Sequence, residues 1–470
     1  VSEATHSIEQ GPRRVIAIAG ATGFVGSHLI RALTDRHHVV ALTRAPGPAL
    51  DGVERRACDL FSSTSTHAAL AGVDTVVYLV HSMMPSSRLF QGTFHDTDLL
   101  LADNMARACA NRGVRRIIYL GGLAPPEGFV SAHLESRLEV EEVLASTNVP
   151  VTCLRAGMVV GPGGSSFEIL RALVERLPWM ILPSWTRSAG QAVFIDDVVR
   201  VLVAAIDDDA FSGRTVDLVN GESLTYETML RQTAHALGKR RLMVPVPISS
   251  TGFSKRWVQL FSGASFELVA PLIESLACAL PQLRPAAEIA PFIRYPTFAS
   301  MVAESLRRPE PVPQASRRRR QRSAENTVQS IQRLPTLTHH DVRFISNEYM
   351  TWLPSEFRAI IRVSQDPVTR RITFSVPPMR RPLLVLDFID QGPERLRDKF
   401  HIVGGLMTRT TTTGWFEFRQ VAHRRYTLAY IHGFVPALPW VVYILTQAPA
   451  HAWVMHRFGR HLERLAQDRG

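Results

Sequence analysis

Apolar and polar positions fall into two regimes along this chain. Up to about residue 305, short, mostly apolar β-branched runs alternate with stretches of helical period. The runs are "RVIAIAG" (14–20), "HVVALTR" (38–44), "TVVYLVH" (75–81), "RRIIYLGG" (115–122) and "VTCLRAGMVV" (151–160). Continuous β-branched segments of this length predict strands covered on both faces. Helical patterning over 25–34, 96–112 and 134–146 separates them. Such alternation predicts an α/β unit, a Rossmann-type doubly wound parallel sheet with right-handed crossovers, over residues 12–305.

Beyond it the pattern changes. Residues 306–335, "LRRPEPVPQASRRRRQRSAENTVQS" with its flanks, are rich in Pro, Ser and Arg and predict a solvated linker. From 336 to 470, "FRAIIRVSQ", "RITFSVP", "PLLVLDFID", "DKFHIVGGLM", "GWFEFRQV" and "YTLAYIHGF" predict successive strands joined by polar turns. A long apolar stretch and a C-terminal helical pattern follow. The expectation is a smaller α+β domain, an antiparallel sheet against a C-terminal helix. Phe434–Met455 holds no Asp, Glu, Lys or Arg over 22 residues, long enough to span a bilayer. Pro436, Pro439 and Pro449 favour a buried core helix over a span or an interfacial contact.

The formal charge of +11 points first to nucleic acid or anionic lipid. Only Lys239, Lys255 and Lys399 are lysines, so arginine supplies almost all of it, and no nucleic-acid reader motif accompanies it. Nucleic acid is therefore not expected as a partner. The arginine run within 317–322 leaves peripheral membrane contact open, as does 434–455. Cys58, Cys109, Cys153 and Cys278 form no C-x-x-C pair and no metal-ligand spacing, so no metal site is expected. They read as small core residues of a cytoplasmic protein, one peripheral at most to the inner face of a membrane. "VSEATHSIEQGPRR" shows no secretion pattern.

"GATGFVG" places Gly20, Gly23 and Gly26 at G-x-x-G-x-x-G spacing after a strand and at the start of a helix. That context suits a dinucleotide: a tight turn, close approach of a pyrophosphate, and close packing of helix on strand. The second strand ends in Thr43 and Arg44, with no carboxylate until Asp51. A guanidinium there can hold a 2′-phosphate, so NADP(H) is favoured, with NAD(H) the alternative. Asp59, in "CDL", either meets adenine or caps its loop.

Taken in order with "VVYLVHSM" (76–83), "LRAGMVVGPG" (154–163) and "VFIDDVV" (193–199), these motifs resemble the atypical, extended branch of the short-chain dehydrogenase/reductase superfamily, which includes NmrA-like proteins. The resemblance spans about 14–245. It implies a phosphate loop of Gly20, Thr22, Gly23, Phe24, Val25 and Gly26, with Arg44 at the 2′-phosphate and Asp59 and Leu60 beside adenine. Val80 and His81 would flank ribose and nicotinamide, and Gly157 would pass near the nicotinamide amide. "YLGGLAP…SAHLESRLEVEEVL" is similar to bacterial NAD(P)-binding oxidoreductases. Some of these carry an extra C-terminal domain like the helix-grip fold of lipid- and polyketide-binding proteins.

The superfamily's usual Tyr-x-x-x-Lys pair is missing. No lysine precedes Lys239 and no tyrosine lies between Tyr119 and Tyr226. The same spacing reads His133-x-x-x-Arg137, and Gly121 and Gly122 stand where a serine is expected. Imidazole exchanges protons near neutrality, and a guanidinium one turn later can bind ribose or steady an alkoxide. The alternative is an ordinary helix pair, Arg137 bonding Glu141 at i+4. Three functions follow as expectations: an oxidoreductase for a small apolar carbonyl or alkene, a non-catalytic NADP(H) sensor or assembly factor, or a carrier of apolar ligands through the C-terminal domain. Asp196 and Asp197 are expected to orient a loop through backbone hydrogen bonds.

Overall fold

The computed structural model describes residues 13–44, 52–82, 89–123, 125, 130–247, 259, 270, 273–275, 278, 280, 282–295, 297–308, 327–337, 339–357, 360–389, 396–409 and 414–467. The arginine run at 317–322 and Asp51 lie outside them. Two compact units result. One takes residues 1–83 and 104–313, the other 84–103 and 314–470.

In the first unit, seven strands form one sheet: β1 (Val15–Ala19), β2 (His38–Thr43), β3 (Val53–Ala57), β4 (Thr75–Tyr78), β6 (Arg116–Gly122), β7 (Val151–Ala156) and β11 (Thr215–Leu218). Their order is β11-β7-β6-β4-β1-β2-β3, and every pairing is parallel. The chain runs outward from β1 in both directions, and β1 lies beside the reversal. Ile16, Ala17 and Ile18 are fully buried there, which is why that segment is apolar at every position. Helices α1 (Phe24–Leu33), α2 (Ser63–Ala69), α4 (Ala132–Leu144) and α6 (Ile195–Asp207) belong to this layer. The Rossmann-type doubly wound fold expected from the alternation is present.

The run 151–160 is not one strand. It breaks at Gly157 into β7 and β8 (Met158–Val160), and β8 pairs with β10 (Ala189–Phe194) in a separate sheet that also holds β12 (Ser223–Thr225). A β-carbon at Gly157 would lie 2.1 Å from the carbonyl oxygen of Gln191, so only glycine lets the chain cross here. β9 (Trp179–Leu182) paired to β13 (Leu242–Pro245), α5 (Ser165–Arg176), α7 (Tyr226–Ala236) and α8 (Phe298–Arg307) also belong to this unit. Asp197 accepts from the amides of Arg294 and Tyr295 at 3.1 and 3.2 Å, the backbone role expected of it. Asp196 instead forms a two-pronged pair with Arg308 at 2.9 and 2.6 Å.

The second unit holds an eight-stranded sheet ordered β15 (Arg362–Gln365), β16 (Ile372–Ser375), β17 (Leu384–Ile389), β18 (Arg397–Gly404), β19 (Trp415–Val421), β20 (Tyr426–Phe434), β14 (Val328–Leu334), β5 (Leu89–Gln91). All its pairings are antiparallel except β14 with β5. All six strands expected from the pattern are there. Two differences from the linear division 12–305, 306–335 and 336–470 stand out. β14 lies within the stretch expected to be linker, and residues 84–103, which follow β4 and hold β5 and the first part of α3 (Phe94–Arg112), join this unit. The strand "VQSIQRL" is short and half polar, and "LFQ" is shorter still, so neither shows without its partner.

α9 (Val342–Glu356), α10 (Trp440–Leu445) and α11 (Gln447–Gln467) accompany the sheet. Asp341 caps α9, its carboxylate accepting from the Phe344 amide at 2.9 Å. Tyr349 and Trp352 of α9 meet Phe458 of α11 and Phe416 and Phe418 of β19, with ring centroids 4.8–6.3 Å apart. Edge-on rings fill the layer between helices and sheet. Phe434–Met455 is accordingly divided among β20, α10 and α11, and among the described residues no helix is long and apolar enough to cross a membrane.

Candidate functional site

The turn after β1 is built for close approach. Gly20 has φ +89°, and a β-carbon on it would stand 2.9 Å from the Leu79 carbonyl oxygen. The Gly23 amide donates to the Gly20 carbonyl at 2.9 Å. A β-carbon on Gly26 would lie 2.4 Å from that same oxygen, so α1 sits directly on the turn. Gly23 caps α1 without a side-chain bond, and Thr22 and Gly23 are exposed. This leaves the positive end of a helix facing outward over a glycine cradle, which fits a dinucleotide pyrophosphate.

Around the cradle, the other expected residues fall as follows. Arg44 is exposed directly after β2. Asp59 caps its own turn, with Oδ1 accepting from the Phe61 amide at 3.1 Å, while buried Asn104 donates to the Leu60 carbonyl at 2.7 Å. The loop-capping role is the one this geometry displays, and Leu60 presents backbone that Asn104 fixes.

A cavity of about 350 Å³ opens beside the cradle. It collects Phe24, Val25, Val80, His81, His133, Arg137 and Gly157, all named from the sequence. Ser131 starts α4, its hydroxyl accepting from the Leu134 amide at 3.3 Å, which fixes His133 in the first turn. The His81 and His133 rings lie 4.9 Å apart. Arg137 follows one turn later, buried, and reaches the Val80 carbonyl and the Ser136 hydroxyl, each at 3.5 Å.

Arg137 does not pair with Glu141 through its side chain. Glu141 is held by Arg155 of β7 instead, at 2.9 and 2.8 Å. A strand arginine won that contest because Glu141 faces the sheet, a direction helical spacing alone does not reveal. Gly122 completes the local logic. A β-carbon there would be 3.1 Å from Leu134 and 3.3 Å from the Arg137 stem, so a serine would crowd that stem.

The rest of the wall is mostly apolar and draws on the apolar stretches 165–182 and 257–282 and on Trp185, while Phe167, Trp179 and Met180 do not line it. Met158, Ile169, Leu173, Trp185 and Leu230 line it, with Tyr226 and Gln191 as polar members. Burial raises the Tyr226 phenol above its ordinary value, which keeps it protonated. Gln191 is engaged elsewhere, its amide exchanging hydrogen bonds with the Leu283 backbone at 2.8 and 3.3 Å. The four cysteines are buried, and burial pushes Cys58 and Cys153 up to about 12.

Residues 16–218 match the NAD dependent epimerase/dehydratase family. A UDP-glucose 4-epimerase of Vibrio cholerae is 23% identical over 258 residues, covering 50% of this chain and 79% of its own length. A ceramide reductase of Caulobacter vibrioides is 24% identical over 241 residues, 50% of this chain and 74% of its own. Among solved structures, a Citrobacter triphenylmethane reductase shares the fold with a TM-score of 0.50, at 20% identity over 63% of this chain and 100% of that one. An NADPH-dependent quinone oxidoreductase of Escherichia coli, solved with NADPH, also has a TM-score of 0.50, at 19% identity over 62% of this chain and 99% of that one. The glycine turn, the parallel strand order and the match to the NAD dependent epimerase/dehydratase family model all fall on the same residues, 16–218.

Proposed function

We propose that this protein is an NADP(H)-dependent oxidoreductase acting on a small apolar carbonyl or alkene compound, with His133 and Arg137 in place of the usual tyrosine and lysine. The observation that carries the reading is the junction of a glycine cradle with a mostly apolar 350 Å³ cavity at which His81, His133 and Arg137 converge.

Gly20, Gly23 and Gly26 would hold the pyrophosphate, Arg44 the 2′-phosphate, and Val80 and Gly157 the nicotinamide end. The cofactor supplies the hydride chemistry. His133 holds a proton at an imidazole nitrogen within the cavity, with His81 beside it. Arg137 keeps a fixed positive charge where a carbonyl oxygen would gain electrons, and it cannot itself give up a proton. Tyr226 is a second donor on the far wall. The apolar wall excludes water and favours a substrate with little polar surface.

Support for NADP(H) over NAD(H) is the basic side chain, with no acidic one, directly after β2. The carrier reading gains nothing from the second unit, where rings occupy the layer between helices and sheet. The sensor reading keeps one observation in its favour: Tyr119, nearest in sequence to the missing tyrosine, donates instead to the Arg137 carbonyl at 3.1 Å and is buried.

The test is stopped-flow absorbance with NADPH and NADH against hydrophobic ketones and enones. Expected are NADPH oxidation with some of these, and a loss of roughly 10–100-fold in NADPH affinity in Arg44→Ala, as for a charged hydrogen bond. His133→Ala should lower kcat with NADPH binding retained. Tight NADPH binding with no turnover on any of the panel would overturn the enzyme reading in favour of the sensor.

A further inference from the structure

We infer that the second unit carries a docking surface for an anionic lipid bilayer, formed by α10, the segment 435–439 that leads into it, and two loops linked to that segment through backbone hydrogen bonds. α10 is short and inverted in the usual sense. Of its residues only Tyr443 is fully buried, while Val441 is 68% and Leu445 72% exposed, with Val442 and Ile444 exposed beside them. Leu438, just before the helix, is exposed as well.

Backbone hydrogen bonds tie two further segments to this one. The Ala437 amide donates to the Met407 carbonyl at 3.1 Å, and the Arg409 amide to the Val435 carbonyl at 2.9 Å. The Leu406 amide in turn donates to the Pro382 carbonyl at 2.9 Å. These segments bring exposed Leu406 and Met379 to the same region, together with the exposed arginines Arg380, Arg381 and Arg409.

Charge decides between occupants. No aspartate or glutamate occurs in 367–386, in 399–416 or in 418–462, so each segment of the patch is purely basic or neutral. A second copy of this chain would bring the same arginines against each other. Anionic headgroups would meet them favourably while the aliphatic side chains enter the acyl boundary, the usual arrangement of an interfacial anchor. An exposed aliphatic cluster of this kind on a soluble face marks an interaction site.

The experiment is co-sedimentation of the full chain with vesicles of phosphatidylcholine alone or mixed with phosphatidylglycerol. Expected is binding to the mixed vesicles that falls at least about tenfold in V441D/L445D and weakens with added salt. Arg380→Gln, Arg381→Gln and Arg409→Gln together should remove the preference for phosphatidylglycerol. Unchanged NADPH binding and thermal unfolding show that the variants fold. V441S/L445S, with no new charge, should lose binding in the same direction. Brominated lipid should quench wild-type tryptophan fluorescence, less so in Trp440→Phe. No association with either vesicle, or equal association in V441D/L445D, overturns the inference. A dimer in sedimentation velocity that V441D/L445D dissolves, without vesicle binding, overturns it in favour of self-association.

Discussion

Arg137 in the first unit and Arg419 in the second are buried almost equally, at 6% and 2% exposure, but only Arg137 lines the cavity beside the glycine turn. Arg137 lines a cavity and reaches a carbonyl and a hydroxyl at 3.5 Å. Arg419 is enclosed by carboxylates, with Glu417 at 2.6 Å and Asp103 at 3.0 Å. Its guanidinium is held above its ordinary range, although burial alone, the largest influence, pulls the other way. A buried cation matched by carboxylates is structural. One that lines a cavity is where the proposed function puts a ligand contact.

Breaking that contrast is simplest at the structural end. Arg419→Met strands Glu417 and Asp103 in a buried layer and should cost about 3–5 kcal/mol, measured by denaturant unfolding. Arg137→Met should cost about 1 kcal/mol in stability, its main effect falling on NADPH binding and turnover. Equal stability losses in the two variants would dissolve the distinction.

A smaller effect tests the cradle. Gly26→Ala puts a β-carbon 2.4 Å from the Gly20 carbonyl, so α1 must move off the turn. The strain, about 1–3 kcal/mol, should appear as roughly 10–100-fold weaker NADPH binding in calorimetry. Gly113→Ala makes a control away from the cradle: unlike Gly26 that glycine has positive φ, so the backbone is strained, but nothing lies within 4 Å of the added carbon. It should leave nucleotide affinity unchanged.

The same contrast explains what could be read from the chain. Strands β1, β2, β4, β6 and β7 announce themselves because burial on both faces makes most of their positions apolar. The cradle is legible because backbone approach demands glycine at fixed spacing. What stayed hidden depends on partners distant in sequence. β5 and β14 are strands only because they pair with each other and β14 with β20. Glu141 chose Arg155 over Arg137 for a reason that lies in the sheet. α9 did leave a local signal, an Asp341 cap followed by Val342, Ile345, Tyr349 and Leu353 at helical spacing, which the strand-rich context overshadowed. Arg137 and His133 were legible as a pair by their place relative to a missing motif, and Tyr226 was not, since its part in the wall comes from a helix remote in sequence.

The smallest effect concerns the same chemistry moved to the surface. On edge strand β3, Glu54 accepts from Arg56 at 2.6 Å and meets His38 of β2 at 2.7 Å. The Arg56 hydrogen bond first, and then His38, lower the Glu54 carboxyl from 4.5 to about 2. The folded state therefore binds this proton more weakly than the unfolded chain. The stabilisation is fully present above about pH 4.5 and is lost as pH falls through 2. Glu54 is 38% exposed, so water and salt screen the pair, and its contribution should stay within about 1 kcal/mol. Comparing Glu54→Gln with the parent chain by urea unfolding at about pH 5 and about pH 3 isolates it: the variant should be slightly less stable at the higher pH, and the gap should narrow at the lower. A gap as large as that of Arg419→Met would mean that burial is not what separates these two ion networks.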